Sequence, residues 1–128
     1  MPDRSKINVV PADIVFDGRM TIDLGGDVTA ELIQCKGPHS SDSVLCYVPG
    51  DKFVLLGDSN CKDLYVPWEF DINHEEDFKK NTDALPYDKE KVDAYLHLLD
   101  SLDFTMCISG HAKAKSKDAL YAGLMEEC

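Results

Sequence analysis

Two nearly unbroken apolar runs joined by a short polar connection, "SVLCYVPGDKFVLL" from Ser43 to Leu56, constrain this chain more than any other stretch. Side chains at successive strand positions point to opposite sides, so each run presents apolar groups on both faces and needs cover above and below. "PGDK" carries turn chemistry, which joins the runs as an antiparallel hairpin and pins their register. If Val48 faces Phe53, then Ser43 faces Asp58.

Around this hairpin the periodicities describe an α+β chain. "INVVPADIVF" at 7–16 is β-branched and apolar, with a proline that marks a bend, an edge position or two short strands. In "RMTIDLGG", Met20, Ile22 and Leu24 alternate with Arg19, Thr21 and Asp23, the pattern of a half-buried strand ended by glycines. "TAELIQC" is the next strand of an antiparallel meander. From Ser59 to Asp88 the periodicity is lost, and a long loop with a short helical turn around "HEEDFKK" is expected. Asp88 then caps a helix over 89–102, with Val92, Tyr95, Leu96, Leu99 and Leu102 on one face. "FTMCIS" reads as a buried strand over 104–109, ended by Gly110 and His111. Ser116 caps a last helix carrying Ala119, Leu120, Leu124 and Met125.

The length of 128 residues and 44% hydrophobic content fit one domain with a modest core. A formal charge of −11, relieved only by "KAKSK" at 113–117, argues against nucleic acid and against anionic membrane surfaces as partners. With no apolar run of transmembrane length and no apolar leader in "MPDRSKINVV", the chain reads as cytoplasmic. The five cysteines include no C-x-x-C pair, so neither a disulfide framework nor a zinc knuckle is indicated. Cys35, Cys46 and Cys107 sit in apolar runs and read as core residues, and Cys61 as a loop thiol near the hairpin's open end.

The strand at 53–57, the helix and the strand at 104–109 form a β-α-β unit, whose strands are parallel if they share a sheet. Their carboxyl ends then share one edge, where open α/β sheets place ligand sites, and that edge carries Asp58 and His111. The hairpin register brings His39, in the loop before Ser43, to the same edge. Two imidazoles and a carboxylate suit zinc, with iron or manganese as alternatives. His74 and His97 read as surface or boundary residues. Tyr65, Trp68 and Phe70 either line a pocket or anchor the long loop.

"GPHSSDSVLCYVPGDKFVLLGDS" followed by "CISGH" resembles the C-terminal half of the metallo-β-lactamase superfamily, and "FDGRMTIDLGGDVTAELIQCKGPH" resembles the strands that lead into it. The resemblance runs from about Val15 to His111. It implies an αββα sandwich of which residues 1–128 supply one half-domain, a mostly antiparallel sheet with two helices. It makes His39 a ligand of a first metal, Asp58 a carboxylate bridging two metals and His111 a ligand of the second, at the centre of a metal-dependent hydrolase. Two departures stand out: Asp42 occupies a position more often glycine, and the first motif, His-x-His-x-Asp-His, has no counterpart among His39, His74, His97 and His111. Metal is therefore expected to bind weakly or not at all to the chain alone, which is expected to be inactive. The open sheet face calls for a second copy in a homodimer or for a complementary N-terminal half. A non-catalytic assembly module pairing through that face is the alternative from another class; a small acidic binding protein with accidental similarity is a third.

Overall fold

The hairpin lies in the middle of a six-stranded mixed sheet in the computed structural model, which describes residue 8, residues 10–61 and residues 88–126. The strands are β1 (Arg19–Gly25), β2 (Val28–Cys35), β3 (Ser43–Val48), β4 (Phe53–Gly57), β5 (Met106–Ser109) and β6 (Lys115–Ser116), side by side in chain order. Helix α1 (Lys89–Asp100) precedes β5 and helix α2 (Lys117–Glu126) follows β6. Only β4 and β5 pair in parallel; every other neighbouring pair is antiparallel. The architecture is α+β, as the periodicities predict.

The turn fixes the register as expected, with Val48 opposite Phe53 and Cys46 opposite Leu55. Pro49–Asp51 make a single 3₁₀ turn, and Lys52 takes the left-handed region at φ 49°, its N–H donating to the Pro49 carbonyl at 3.2 Å. Lys52 is held in that conformation by its surroundings. Its carbonyl accepts from the Thr105 N–H at 2.9 Å, and its ammonium lies 2.8 Å from the Asp103 carboxylate, which raises the lysine's pKa. The Tyr47 hydroxyl donates to the Asp103 carbonyl at 2.9 Å. These contacts tie the hairpin turn to the entry of β5 and so set where the parallel pair begins.

Strand alternation divides the sheet into two unlike faces. Ile33, Cys35, Leu45, Tyr47, Val54, Leu56 and Cys107 form one buried face and pack with Tyr95, Leu99, Leu102, Phe104, Leu120 and Leu124 beneath both helices. On the other face, Met20, Leu32, Cys46, Leu55 and Ile108 form an apolar row across five strands, each opposite the next. Val44, Leu55 and Met106 on this side are 41%, 42% and 38% exposed. The described residues therefore cover only one of the two faces that the hairpin sequence makes apolar.

Helix α1 begins where its cap predicts, the Asp88 carboxylate accepting from the N–H groups of Glu90 and Lys91. It ends at Asp100, earlier than the expected 102, because the Ser101 hydroxyl and N–H both turn back to the Leu98 carbonyl, at 2.6 and 3.1 Å. Leu102 and Phe104 remain buried as connections, and β5 starts at Met106 rather than at 104. Among the described residues from 8 to 18 there is no strand. Pro11 has no ladder donor, and Val10, Ile14 and Val15 are exposed. The basic stretch at 113–117 contributes β6, with Met106 opposite Ser116 and Cys107 opposite Lys115. Ser116 also caps α2, accepting from the Ala119 N–H at 3.2 Å. Cys35 and Cys107 are buried as expected, whereas Cys46 is only partly so because it belongs to the open face.

Candidate metal edge

Parallel pairing of β4 and β5 brings Gly57 opposite Ser109, so both strands finish at one edge. Gly57 leaves the sheet at φ 56°, a conformation that favours glycine, and the chain turns directly into Asp58. From β5, the Gly110 N–H donates to the Gly57 carbonyl at 2.7 Å, and His111 follows. His111 Nε2 then lies 3.4 Å from Asp58 Oδ1, with the imidazole largely exposed and the carboxylate partly so. A Cβ at Gly110 would sit 2.5 Å from Asp58 Oδ1, so a side chain there would displace the carboxylate from its present position. The edge thus brings Asp58 and His111 together as the β-α-β reading expects.

His39 lies in the loop between β2 and β3, which opens at the same edge, because Cys35 is opposite Ser43 and the β3–β4 register runs on toward Asp58. Gly37 and Pro38 are buried, His39 is half-buried, and the Ser40 and Ser43 hydroxyls share a 2.8 Å hydrogen bond. The loop reaches the segment after β4 through Gly37, where a Cβ would lie 2.5 Å from the Ser59 carbonyl oxygen. Among the described residues, however, no group of three His, Cys, Asp or Glu side chains is arranged to hold a metal ion. Asp58 and His111 are in close contact at this edge. His97 is exposed on α1, while His74 and the aromatics Tyr65, Trp68 and Phe70 fall outside the described residues.

Next to this pair, the Cys61 N–H donates to the Asp58 carbonyl at 2.8 Å. Burial and the Asp58 carboxylate raise the Cys61 pKa, so the thiol stays protonated and is a poor nucleophile. Burial likewise pushes Cys35 up to about 11, against the opposing effect of a hydrogen bond with the Gly37 backbone. The Ser109 hydroxyl is buried behind the edge with no hydrogen-bond partner among the described residues.

Sequence reasoning missed the anchor behind Asp58. Ser59 is buried, its hydroxyl donating to the Leu56 carbonyl at 2.6 Å and lying 2.8 Å from the Tyr95 hydroxyl of α1. Burial raises the Tyr95 pKa strongly, so this phenol stays neutral. The available signal was a tyrosine on the apolar face of α1, since a buried phenol needs a polar partner.

No family model matches the chain, and none of the curated proteins matches it. Among nine matching solved chains is the crystal structure of the flavodiiron protein from Giardia intestinalis, with 21% identity and a TM-score of 0.51. That match covers 84% of this chain and 28% of the other, so the chain spans little more than a quarter of its neighbour's length. At this identity the likeness concerns the fold alone: a mixed α+β sheet of six strands with two helices, consistent with half of a metallo-β-lactamase-like sandwich.

Proposed function

We propose that this chain is the C-terminal portion of a metallo-β-lactamase-like metal-dependent hydrolase, with His39, Asp58 and His111 as its share of the metal ligands. The observation that carries the reading is the 3.4 Å approach of His111 to Asp58 at the joint carboxyl ends of β4 and β5. An imidazole and a carboxylate fit one side of a divalent ion, and both are accessible to it. The loop bearing His39 lies at the same edge, and further donors would come from a complementary N-terminal half. A divalent metal held there supplies an acidified water and polarises a carbonyl or phosphoryl oxygen. The chain's own part is to hold ligands: Asp58 brings negative charge, His111 brings a neutral nitrogen donor, and Gly110 leaves room for the Asp58 carboxylate between them.

Zinc and iron are the ions to test, zinc for its affinity for imidazole and carboxylate and iron because the fold neighbour is named a flavodiiron protein. Affinity measured by chelator competition is expected to be weak in the parent and to fall about tenfold or more in Asp58→Ala and in His111→Ala. Unchanged affinity in both variants would overturn the assignment. Turnover by the chain alone is expected to be undetectable on esters, thioesters, phosphodiesters and β-lactams with added zinc, iron or manganese, because the His-x-His-x-Asp-His ligands are missing. Robust hydrolysis abolished by Asp58→Ala would contradict this.

The open face favours a second reading of the same chain, as an assembly module. In that reading the apolar row Met20, Leu32, Cys46, Leu55 and Ile108 is covered by a second copy. No charged side chain stands in the row, so two copies with a formal charge of −11 each can meet there without pairing like charges at the centre.

A further inference from the structure

The two loops that carry His39 and Asp58 meet at one residue, Ser59. Its side chain faces inward, and the residue is 1% exposed. A serine hydroxyl has one proton, which goes to the Leu56 carbonyl at 2.6 Å, so the 2.8 Å contact with Tyr95 is made by the phenol donating to Ser59 Oγ. The Ser59 N–H also returns to the Leu56 carbonyl, at 3.1 Å. Asp58 is thereby fixed between the left-handed turn at Gly57 and an anchored Ser59. On its other side Ser59 meets the buried backbone of Gly37, where nothing larger than hydrogen fits beside its carbonyl oxygen. Pro38, fully buried, follows, and then His39.

We infer that the Ser59–Tyr95 hydroxyl pair is the positioning device of the metal edge. It holds the segment bearing Asp58 directly and the loop bearing His39 through Gly37, and it makes helix α1 the support of both. Tyr95 and Ser59 touch no substrate or metal in this account; they act through the residues next to them. The inference rests on the metal reading for its consequence, and on the hydrogen bonds alone for its geometry.

The test uses three variants. Tyr95→Phe removes one hydroxyl, Gly37→Ala forces the His39 loop away from Ser59, and Val92→Ala loosens α1 at a buried position outside the hydroxyl pair. Zinc affinity by chelator competition is expected to fall about tenfold or more in Tyr95→Phe and Gly37→Ala, as for other residues that orient ligands, and to stay at the parent value in Val92→Ala. Metal-free protein provides the second readout, amide hydrogen exchange at Ser59 and Cys61, whose N–H groups bond to Leu56 and Asp58. Exchange there should quicken in Tyr95→Phe beyond what an equally destabilised Val92→Ala shows. If the parent's zinc affinity ignores Asp58→Ala, the metal reading fails while the exchange result still decides the anchor. Exchange in Tyr95→Phe that only matches Val92→Ala overturns the positioning role. So does a zinc affinity in Tyr95→Phe equal to the parent's, provided that Asp58→Ala weakens it.

Discussion

Leu56→Glu will leave no folded protein. Leu56 is completely buried on the helix-covered face, in an apolar cluster with Leu45, Val54, Tyr95 and Leu99. A carboxylate there would stand among apolar side chains, and the effective penalty for burying an unpaired charge is several kcal/mol even after relaxation. A domain of this size has a total stability of about 5–15 kcal/mol, so that single cost removes most or all of it. Leu56→Ala, which leaves a cavity without a charge, should cost about 2–5 kcal/mol and keep a cooperative transition. Circular dichroism with urea titration checks both. A Leu56→Glu chain that unfolds cooperatively near the parent midpoint would mean that the core is not where this sheet puts it.

The sheet was legible because its strongest signals are local. "PGDK" set the β3–β4 register, alternation in "RMTIDL" set which side of β1 is apolar, and Asp88 marked the start of α1. The β-α-β order was enough to bring the ends of β4 and β5 to one edge, and so to bring Asp58 beside His111. Where the expectation differed, a non-local contact decided. The stretch 113–117 has no strand-like run, yet Lys115 and Ser116 complete the sheet because β5 offers them a free edge. Residues 10–16 have a strand-like composition, but no described neighbour pairs with them. Ser59 and Tyr95 lie 36 residues apart, and no spacing rule links them. His39 depends on a loop conformation that neither periodicity nor register specifies beyond its edge.

Leu55 adjoins Leu56 in β4 and should respond in the opposite way. At 42% exposure it faces the open side, in line with Cys46 and Ile108, and α1 and α2 do not cover it. Strands about 4.8 Å apart make that five-strand row roughly 20 Å wide, with Leu55 exposed and Met20, Leu32, Cys46 and Ile108 half-buried, and contiguous apolar surface of this kind marks a contact site. If a second copy covers the patch, Leu55 stands near the middle of the contact, where truncated or charged residues cost most. Leu55→Glu also places two carboxylates near each other across a twofold axis in a desolvated setting. Light scattering on the eluting peak should therefore give a dimer mass for the parent and a monomer mass for Leu55→Glu. The dissociation constant is expected to rise about 100-fold or more, since each tenfold step corresponds to about 1.4 kcal/mol. Far-UV circular dichroism should not change, because a charge at an exposed strand position leaves the helix-covered core intact. A folded parent that stays monomeric at micromolar concentration, or a Leu55→Glu variant that remains dimeric, would rule out this face as the contact between copies. In the first case a different sheet, such as that of a complementary N-terminal half, becomes the partner to supply in trans.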